Sequence, residues 1–412
     1  MKYSLKECID KIIDNRGKNP NQYCFDEKYP VLDNYLIKND IYPNLKEVKR
    51  FIDENTFNTF IRNYLGKNDV IMTLVGNGIG NVSMSPSDKV VIIQNTIGFR
   101  TKQGILLNKF LYYYFKYINR ELLNFNRGSS QPSIKKTDIL DMTIDIPTID
   151  KQKAIVEILF TIDMKIQNNN KINEKLEEMA QAIFKQWFID FEFPNEEGDP
   201  YKSSGGEMVE SDLGMIPKVW EVSNLEGIIE FNPKETLKKD EEYKFIEMAA
   251  LSNFSSNIQY WIGKKFGSGS KFRNGDTLLA RITPCLENGK TAFVDILEEG
   301  EVAFGSTEFI VMRANDLSNK YYIYCLARED NFRAHAIKSM SGSSGRQRVQ
   351  LDLLKNYKIA KSPQSIYSRF GNLLENLFQK IANNNKETVR LVKLRDELLP
   401  KLMSGEIRVP LK

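Results

Sequence analysis

Cationic and amide side chains recur in short Gly- and Ser-rich stretches of this sequence. Arginine and glutamine are suited to bidentate hydrogen bonds with guanine and adenine edges, and serine and glycine let backbone amides approach phosphates. The candidate side chains are Arg127, Ser130, Gln131, Lys135 and Lys136 in the first half, and Ser270, Lys271, Arg273, Ser343, Arg346, Gln347 and Arg348 in the second. Each stretch alone is typical of a solvated surface turn. Their recurrence in both halves of the chain indicates a nucleic-acid interface.

Side chains for catalysis or metal binding are sparse. His335 is the only histidine, which excludes a His-His zinc site and argues against a Ser-His-Asp triad. Residues 76–80 (GNGIG) look like a nucleotide-binding loop but lack the Gly-Lys-Ser/Thr ending of a P-loop. The sequence therefore predicts no catalytic constellation, no metal site and no cofactor in this chain.

The composition is that of a globular protein. The chain has 412 residues, of which 41% are apolar and 27% charged, which suggests two to three domains with ample core. No apolar run approaches the ~18 residues that a membrane span needs, and the N-terminus lacks a signal peptide's apolar segment. Four scattered cysteines fit a reducing compartment, so we expect a cytoplasmic protein without a membrane partner. The net charge of +4 is too small to argue for nucleic acid alone.

An Asn-Asn-Asn-Lys run occurs twice, at residues 168–171 and 383–386, each time inside a long helical pattern. The apolar residues around each run alternate in steps of four and three, which is a heptad seam. The seams contain Ile155, Leu159, Ile162, Ile166, Leu176, Ala180, Ile183 and Trp187 in the first pattern, and Phe370, Leu374, Leu377, Ile381, Leu391, Arg395, Leu398 and Leu402 in the second. Asn169 and Asn384 occupy the same slot, where a lone asparagine costs stability but fixes helix register. The alternative is two unrelated surface helices that share an asparagine run by chance.

The segments that precede the two helical patterns also match each other. The matches are residues 69–73 (DVIMT) with 276–280 (DTLLA), 108–113 (NKFLYY) with 319–324 (NKYYIY), and 128–130 (GSS) with 342–344 (GSS). The chain therefore divides into a first block at 1–148, a first helix at 149–193, a linker at 194–217, a second block at 218–362 and a second helix at 363–412. We interpret this order as a tandem duplication of one α/β domain followed by one helix.

A pseudo-twofold axis between the duplicated halves requires the two long helices to pair antiparallel. We expect this pairing to bring Asn169 near Asn384. The first seam spans roughly 48 Å at about 1.5 Å per residue. The helix pair is therefore predicted to act as a ruler between two similar domains, an arrangement that suits two half-sites on one DNA duplex.

Four further stretches are distinctive, namely residues 173–191 (NEKLEEMAQAIFKQWFIDF), 206–217 (GEMVESDLGMIP), 281–290 (RITPCLENGK) and 399–407 (LPKLMSGEI). Together they resemble the specificity subunit of type I restriction-modification enzymes. The resemblance covers essentially the whole chain and is weakest in the first block. The third stretch opens on Arg281, which we add to the candidate DNA-contacting residues.

The resemblance implies two α/β target-recognition domains, each of which reads one half of a split site in double-stranded DNA, and two helical spacers that pair antiparallel. It implies that two methyltransferase subunits, which use S-adenosylmethionine, dock on the helices, and that restriction subunits, which use ATP and Mg, join the complex. The specificity subunit itself has no catalytic activity. We expect Phe184, Phe188 and Phe191 to be exposed outside the seam and to meet a methyltransferase subunit.

The sequence thus predicts a non-catalytic subunit that reads a bipartite DNA site. One alternative is a self-contained DNA methyltransferase with a fused recognition domain, which would bind S-adenosylmethionine by itself. Another is a coiled-coil scaffold that does not contact DNA, which would lack salt-dependent duplex binding.

Overall fold

The computed structural model describes residues 2–25, 28–128, 131–343 and 345–410. The chain forms two compact units. Unit 1 consists of Met1–Ile166 with Val389–Lys412, and unit 2 consists of Gln167–Thr388. Each unit therefore contains one block and a part of each long helix.

Unit 1 contains short strands, short helices, the start of the first long helix and the end of the second. Its strands are β1 (Lys2–Ser4), β2 (Ile9–Ile13), β3 (Tyr29–Leu32), β4 (Phe51–Ile52), β5 (Val70–Thr73), β6 (Val82–Met84), β7 (Val91–Ile92), β8 (Thr96–Thr101) and β9 (Thr143–Asp145). Its helices are α1 (Leu5–Cys8), α2 (Glu54–Thr59), α3 (Asn108–Tyr117), α4 (Asn119–Leu123), α5 (Lys136–Leu140) and the first part of α6 (Ile149–Phe184).

The main sheet of unit 1 is antiparallel, with strand order β2-β8-β5-β6. Every residue of β5 is buried, as expected for a continuous apolar run in a strand that is covered on both faces. Helix α3 supplies buried aromatic side chains to the same core. A smaller sheet has the order β4-β3-β7 with β3 and β7 parallel, and β1 pairs with β9.

Unit 2 contains the last part of α6, the second block and the start of the second long helix. Its strands are β10 (Met208–Ser211), β11 (Gly214–Pro217), β12 (Glu221–Asn224), β13 (Ile229–Phe231), β14 (Glu242–Ile246), β15 (Ile262–Lys265), β16 (Ser270–Phe272), β17 (Thr277–Ala280), β18 (Thr291–Phe293), β19 (Ala303–Gly305), β20 (Phe309–Ala314) and β21 (Lys358–Lys361). Its helices are α7 (Lys320–Arg328), α8 (Asp330–Lys338), α9 (Leu351–Lys355) and the first part of α10 (Gln364–Ser404).

The sheets of unit 2 repeat those of unit 1. The main sheet has the order β13-β20-β17-β18, the smaller one has β15-β14-β19-β16 with β14 and β19 parallel, and β12 pairs with β21. A buried aspartate before the central strand forms an ion pair with an arginine on the neighbouring strand in both units, as Asp69 with Arg100 and as Asp276 with Arg313. The predicted tandem α/β duplication is confirmed.

The segment predicted as a linker contains structure of its own. Strands β10 and β11 form a hairpin in register from Met208–Pro217 to Ser211–Gly214. The first long helix is also shorter than the predicted range of 149–193. Its α-helical part, α6, ends at Phe184, and one π-helical turn follows over Lys185–Ile189.

Polar contacts inside each unit define how α6 pairs with α10. In unit 2, Asn169 Nδ2 donates to Glu387 Oε2 at 2.9 Å. Asn384 Nδ2 donates to Asn173 Oδ1 at 2.8 Å. Residue numbers rise along α6 while they fall along α10, so the predicted antiparallel pairing is confirmed.

Asn169 and Asn384 each bond a polar residue of the facing helix other than the matching asparagine. Asn169 also lies 3.4 Å from Thr388 Oγ1, whereas Asn384 bonds Asn173, so the two asparagines share no described hydrogen bond. Asn173 and Thr388 occupy the same seam slot in the two helices, one turn beyond the asparagines. Antiparallel packing therefore sets each asparagine against the next polar position of the facing helix, which still makes the contact symmetric.

In unit 1 a buried ion pair joins the same two helices. Arg395 Nη1 donates to Asp163 Oδ1 at 2.8 Å, and Tyr113 on α3 donates to the other carboxylate oxygen at 2.7 Å. The Asp163 side chain is only 4% exposed. Burial opposes the charge of Arg395, but its hydrogen bonds to Asp163 and Asp396 outweigh burial and raise its pKa.

Replacing Arg395 by Ala leaves the Asp163 carboxylate buried without its cation. Loss of one partner of a buried pair costs roughly 3–5 kcal/mol, and we expect the melting temperature of the transition that includes unit 1 to fall by roughly 6–20 °C. Calorimetry of the purified chain measures this. Lys393→Ala, at an exposed site on the same helix, is the matched control. Equal melting of the two variants would contradict a structural role for the pair.

Candidate nucleic-acid interface

The loop at 341–349 in unit 2 is fixed by backbone hydrogen bonds to two other segments. Arg348 and Ser341 exchange N–H···O bonds of 2.9 and 3.0 Å. Val349 N donates to Arg281 O at 2.8 Å, and Thr283 N donates to Gln347 O at 3.1 Å. The sequence-predicted residues Arg281, Gln347 and Arg348 are therefore brought together.

A carboxylate that the sequence analysis did not select lies between the two arginines of this loop cluster. Arg348 donates to Glu308 from Nε at 2.9 Å and from Nη2 at 2.7 Å. Arg281 Nε is 3.9 Å from the same carboxylate, which is too long for a hydrogen bond. The hydrogen bond from Arg348 lowers the pKa of Glu308, although burial opposes it, so Glu308 is ionised at neutral pH.

Two other predicted residues of this loop extend toward solvent. Ser343 and Arg346 are exposed, and the only described bond between them joins Arg346 N to Ser343 O at 3.0 Å. The Arg346 guanidinium is therefore available to a ligand.

The second stretch of unit 2 is held by a different buried glutamate. Lys271 Nζ donates to Glu235 O at 2.6 Å, and Arg273 Nε donates to Glu235 Oε1 at 2.7 Å. Burial would raise the pKa of Glu235, but hydrogen bonds from Arg313 and Arg273 outweigh it and lower the pKa. Ser270 Oγ donates to Phe309 O at 2.9 Å, next to Glu308 in sequence. Lys271 and Arg273 therefore hold internal contacts, and Ser270 links this stretch to the Glu308 cluster.

In unit 1 the predicted residues lie on and before helix α5. Arg127 Nη2 donates to Asp138 Oδ1 at 3.0 Å, and Lys136 Nζ donates to Asp14 Oδ2 at 3.1 Å. Hydrogen bonds from Arg16 first, and then from Lys136, lower the pKa of Asp14 although burial opposes them. Gln131 and Lys135 are exposed, while Ser130 lies outside the described residues.

The same three backbone hydrogen bonds frame the loop in each unit. Unit 1 has Leu74 N to Asn95 O, Ile134 N to Leu74 O and Gly76 N to Pro132 O, and unit 2 has Arg281 N to Glu308 O, Val349 N to Arg281 O and Thr283 N to Gln347 O. The two loops therefore occupy equivalent places on one backbone frame. In this frame Ser133 corresponds to Arg348, and Asn95 corresponds to Glu308. The side chains thus differ in charge where the main chain is the same.

The pattern of cationic side chains does not indicate Glu308, because this residue is an anion. The signal that could have found it is positional, since Glu308 and Asn95 each directly precede a strand, β20 and β8, that pairs with the strand after the duplicated aspartate. Aligning those strands between the halves would have placed Glu308 at the base of the loop.

Inside unit 2 a carboxylate on α6 ties the long helix to the second block. Glu177 accepts hydrogen bonds from Ser256 N at 3.0 Å, Tyr324 OH at 2.5 Å and Arg328 Nη1 at 2.9 Å. Tyr324 corresponds to Tyr113 in the duplication, and Tyr113 bonds a carboxylate on α6 in unit 1. Each block is therefore attached to the helix through an equivalent tyrosine, a feature that sequence reasoning did not predict.

The expectation that the phenylalanines at the end of the first helix are exposed was wrong. Phe184 and Phe188 are 1% and 5% exposed and lie in the core of unit 2. Phe188 packs edge-on against Tyr322 with ring centroids 4.7 Å apart, and the half-buried Phe191 packs against Trp220. The helix end turns its apolar side chains into the block that follows it, so they do not form a free docking surface.

No set of three or more His, Cys, Asp or Glu side chains in the described ranges is arranged to hold a metal ion. Among the helices that the structure describes, none is both long enough and apolar enough to cross a bilayer.

A duplicated α/β fold, a helix pair with buried polar contacts and loops on a repeated backbone frame form the arrangement expected of a protein that reads two DNA half-sites. The chain belongs to the type I restriction modification DNA specificity domain family, whose model matches residues 1–178 and again residues 217–391. The predicted family, and with it the role of DNA specificity subunit, is confirmed.

Individual relatives and one solved structure agree with this assignment. The chain is 31% identical over 349 residues to the type I restriction enzyme MjaIX specificity subunit of Methanocaldococcus jannaschii, with 79% of this chain and 77% of that protein covered. It is 22% identical over 416 residues to the HindI specificity subunit of Haemophilus influenzae, with 83% and 87% covered. The crystal structure of a type I restriction-modification system S subunit from M. genitalium matches with a TM-score of 0.56 at 16% identity, over 98% of this chain and 95% of that one, which supports the fold.

Proposed function

We propose that this chain reads a bipartite site in double-stranded DNA, with one recognition domain at residues 1–148 and the other at 218–362. The observation that carries this proposal is the repeated loop frame with unlike side chains. One backbone geometry presents Ser133 in the first unit and Arg348 in the second. A shared frame with different hydrogen-bonding groups is what two readers of different half-sites need.

The groups that remain available for DNA differ between the two domains. In the second domain, Arg346 and Arg348 offer guanidinium N–H groups, and Gln347 offers an amide, so base edges are the proposed targets. In the first domain, Gln131 is the proposed base-reading group and the exposed Lys135 is the proposed phosphate contact. Lys136, which is paired with Asp14, is proposed as a weaker phosphate contact. Lys271 and Arg273 are committed to Glu235, so we assign them a supporting role.

Variants of the two loops test whether the halves read separately. We expect Arg346→Ala or Arg348→Ala to lower the discrimination between correct and incorrect bases in one half-site, by roughly 1–3 kcal/mol per lost base contact. The other half-site should be read as before. Lys135→Ala or Lys136→Ala acts on the other half, or weakens binding to all sequences and reduces its salt dependence if the lysine touches phosphate. Methylome sequencing of cells that express each variant with its methyltransferase subunit gives the motif.

The control for these variants is Lys202→Ala, at an exposed position in unit 2 outside the loops, which should leave the motif unchanged. If the arginine variants and the lysine variants both lost selectivity in the same half-site, the model of two domains that read separate half-sites would be wrong. Clear binding of S-adenosylmethionine by the isolated chain would instead favour a methyltransferase.

The long helices, residues 149–193 and 363–412, are the proposed docking site for two methyltransferase subunits, which would supply S-adenosylmethionine chemistry. Support comes from exposed apolar side chains that recur at corresponding helix positions. Ile158 and Leu373 each precede a matched seam leucine, and Met179 and Leu394 precede the matched positions Ala180 and Arg395. Exposed apolar groups repeated in this way fit two copies of one partner. Restriction subunits that use ATP and Mg are proposed to join the same complex.

Replacing Met179, Leu394 or both by aspartate tests the docking surface. We expect Met179→Asp or Leu394→Asp alone to weaken one methyltransferase site tenfold or more, about 1.4 kcal/mol or more, and the double variant to weaken both. Light scattering or native mass spectrometry of the assembled complex gives the number of methyltransferase subunits per chain. Lys393→Asp is the control for added negative charge on α10. Two bound subunits in the double variant would rule out this surface.

We also propose that the helix pair sets the gap between the half-sites. Deleting one heptad from each helix, with Asn169 and Asn384 retained, shortens a fully helical segment by about 10 Å, so the preferred gap should shorten by about three base pairs. Methylome sequencing of this variant reads the gap directly. An unchanged gap would show that the helices do not act as a ruler.

A further inference from the structure

We propose that Glu308 is a specificity-determining positioning residue of the second recognition domain, which holds Arg348 by one edge of its guanidinium so that the opposite edge reads a guanine. This inference rests on the proposed DNA-reading function and adds to it the base that is read and the residue that orients its reader.

The hydrogen bonds between the two side chains occupy one side of the guanidinium. Arg348 Nε contacts both oxygens of Glu308, at 3.0 and 2.9 Å, and Nη2 contacts one of them at 2.7 Å. Among the described residues, Arg348 Nη1 has no hydrogen-bond partner, and the side chain is 47% exposed. An arginine has five N–H donors in a planar fork, so the Nη1 and Nη2 end keeps hydrogens that point away from Glu308.

Both partners are anchored at the main chain. Arg348 forms β-bridges to Ser341 and to Ile282. The Glu308 carbonyl accepts from Arg281 N at 2.9 Å, and Glu308 N donates to Ser306 Oγ at 3.2 Å. An arginine is a flexible side chain, and ordering it on binding costs about 0.5–1.5 kcal/mol in rotamer freedom. Here the carboxylate orders it before DNA arrives.

The free end of the fork matches guanine better than the other bases. Guanine presents two acceptors, O6 and N7, side by side in the major groove, and bidentate contact from arginine is the commonest specific pairing. Adenine and cytosine each place an amino donor at that edge, which faces the arginine donors unfavourably. Arg281 Nε lies 3.9 Å from the same carboxylate and places a second cation beside Glu308.

The equivalent position in the first domain has no pair of a glutamate and an arginine. Asn95 stands where Glu308 stands and Ser133 stands where Arg348 stands, on the same backbone frame. Neither offers a guanidinium to orient. The guanine contact is therefore assigned to the second domain only, and the two half-sites should differ at this position.

The test uses the complex of this chain with its methyltransferase subunits. The DNA is a duplex that carries the motif found for the wild-type protein by methylome sequencing. Each guanine of the second half-site is replaced in turn by 7-deazaguanine, which lacks the N7 acceptor. One replacement should weaken wild-type binding severalfold, within an upper limit of roughly 150-fold for a whole bidentate contact, because the O6 acceptor remains. The same replacement should weaken binding of the Arg348→Lys complex by less than about threefold, because this variant has already lost the bidentate contact to guanine.

Glu308 is then examined at that same guanine. In Glu308→Gln and Glu308→Ala, the penalty for 7-deazaguanine should shrink severalfold, and methylome sequencing should show other bases at this position. Glu207→Gln, which alters a surface pair with Lys218, is the matched control and should keep the full penalty. A thermal melt of each complex shows that it is folded, and Arg348→Lys still tests the contact if Glu308→Ala is unstable.

The outcomes separate the inference from the function on which it rests. Tighter binding of Glu308→Ala to every duplex would show that Glu308 competes with DNA for Arg348, and an unchanged motif in both Glu308 variants would remove its positioning role. Either result overturns the inference while the bipartite motif stands. Absence of any sequence-specific, salt-dependent binding by the wild-type complex would instead overturn the proposed function.

Discussion

The pairing of α6 with α10 depends on a short row of buried side-chain amides. Asn384 and Asn173 form a hydrogen bond of 2.8 Å, and Asn169 bonds Glu387 across the same seam. A heptad repeats every seven residues, so a slip of one heptad would leave most apolar contacts equivalent. That slip would set the amides against aliphatic side chains, and each buried amide left unpaired costs about 1–3 kcal/mol. The polar row therefore selects one register, even though Asn169 Oδ1 itself has no hydrogen-bond partner among the described residues.

Register matters because each block is attached to α6 near that row. Tyr113 in unit 1 and Tyr324 in unit 2 are duplicate residues, and each donates to a buried carboxylate on the helix. The cations that balance the carboxylates have different origins, however. Asp163 is paired with Arg395 from α10, whereas Glu177 is paired with Arg328 from α7, on the block itself. Both halves therefore contain a carboxylate that accepts from the tyrosine and is paired with an arginine, but the arginine comes from a different element in each half.

Periodicity and internal repetition were enough to predict the duplicated α/β fold, the two long helices and their direction, because these depend on patterns that recur along the chain. The loops around Gln131 and Arg346 could be selected for the same reason. Side-chain partners could not be predicted, since Glu308 and Arg348 meet only after distant strands pair. The burial of Phe184 was missed because a heptad pattern shows which face of a helix is apolar but not whether the next domain covers it. The hydrogen bond of Asn169 to Glu387 required the exact stagger of two helices, which a repeat does not contain.

The carboxylates among the arginines have a physical consequence for recognition. Phosphate contacts from unpaired cations raise affinity for every DNA sequence equally, so a surface of free arginines would bind nonspecific DNA strongly. Glu308 and Glu235 neutralise Arg348 and Arg273 in unit 2, and Asp138 and Asp14 do the same for Arg127 and Lys136 in unit 1. A neutralised arginine still has N–H groups to offer a base edge, but it attracts distant phosphates weakly. The modest net charge of +4 is therefore compatible with a DNA-reading chain, because base readout requires oriented donors more than it requires net positive charge.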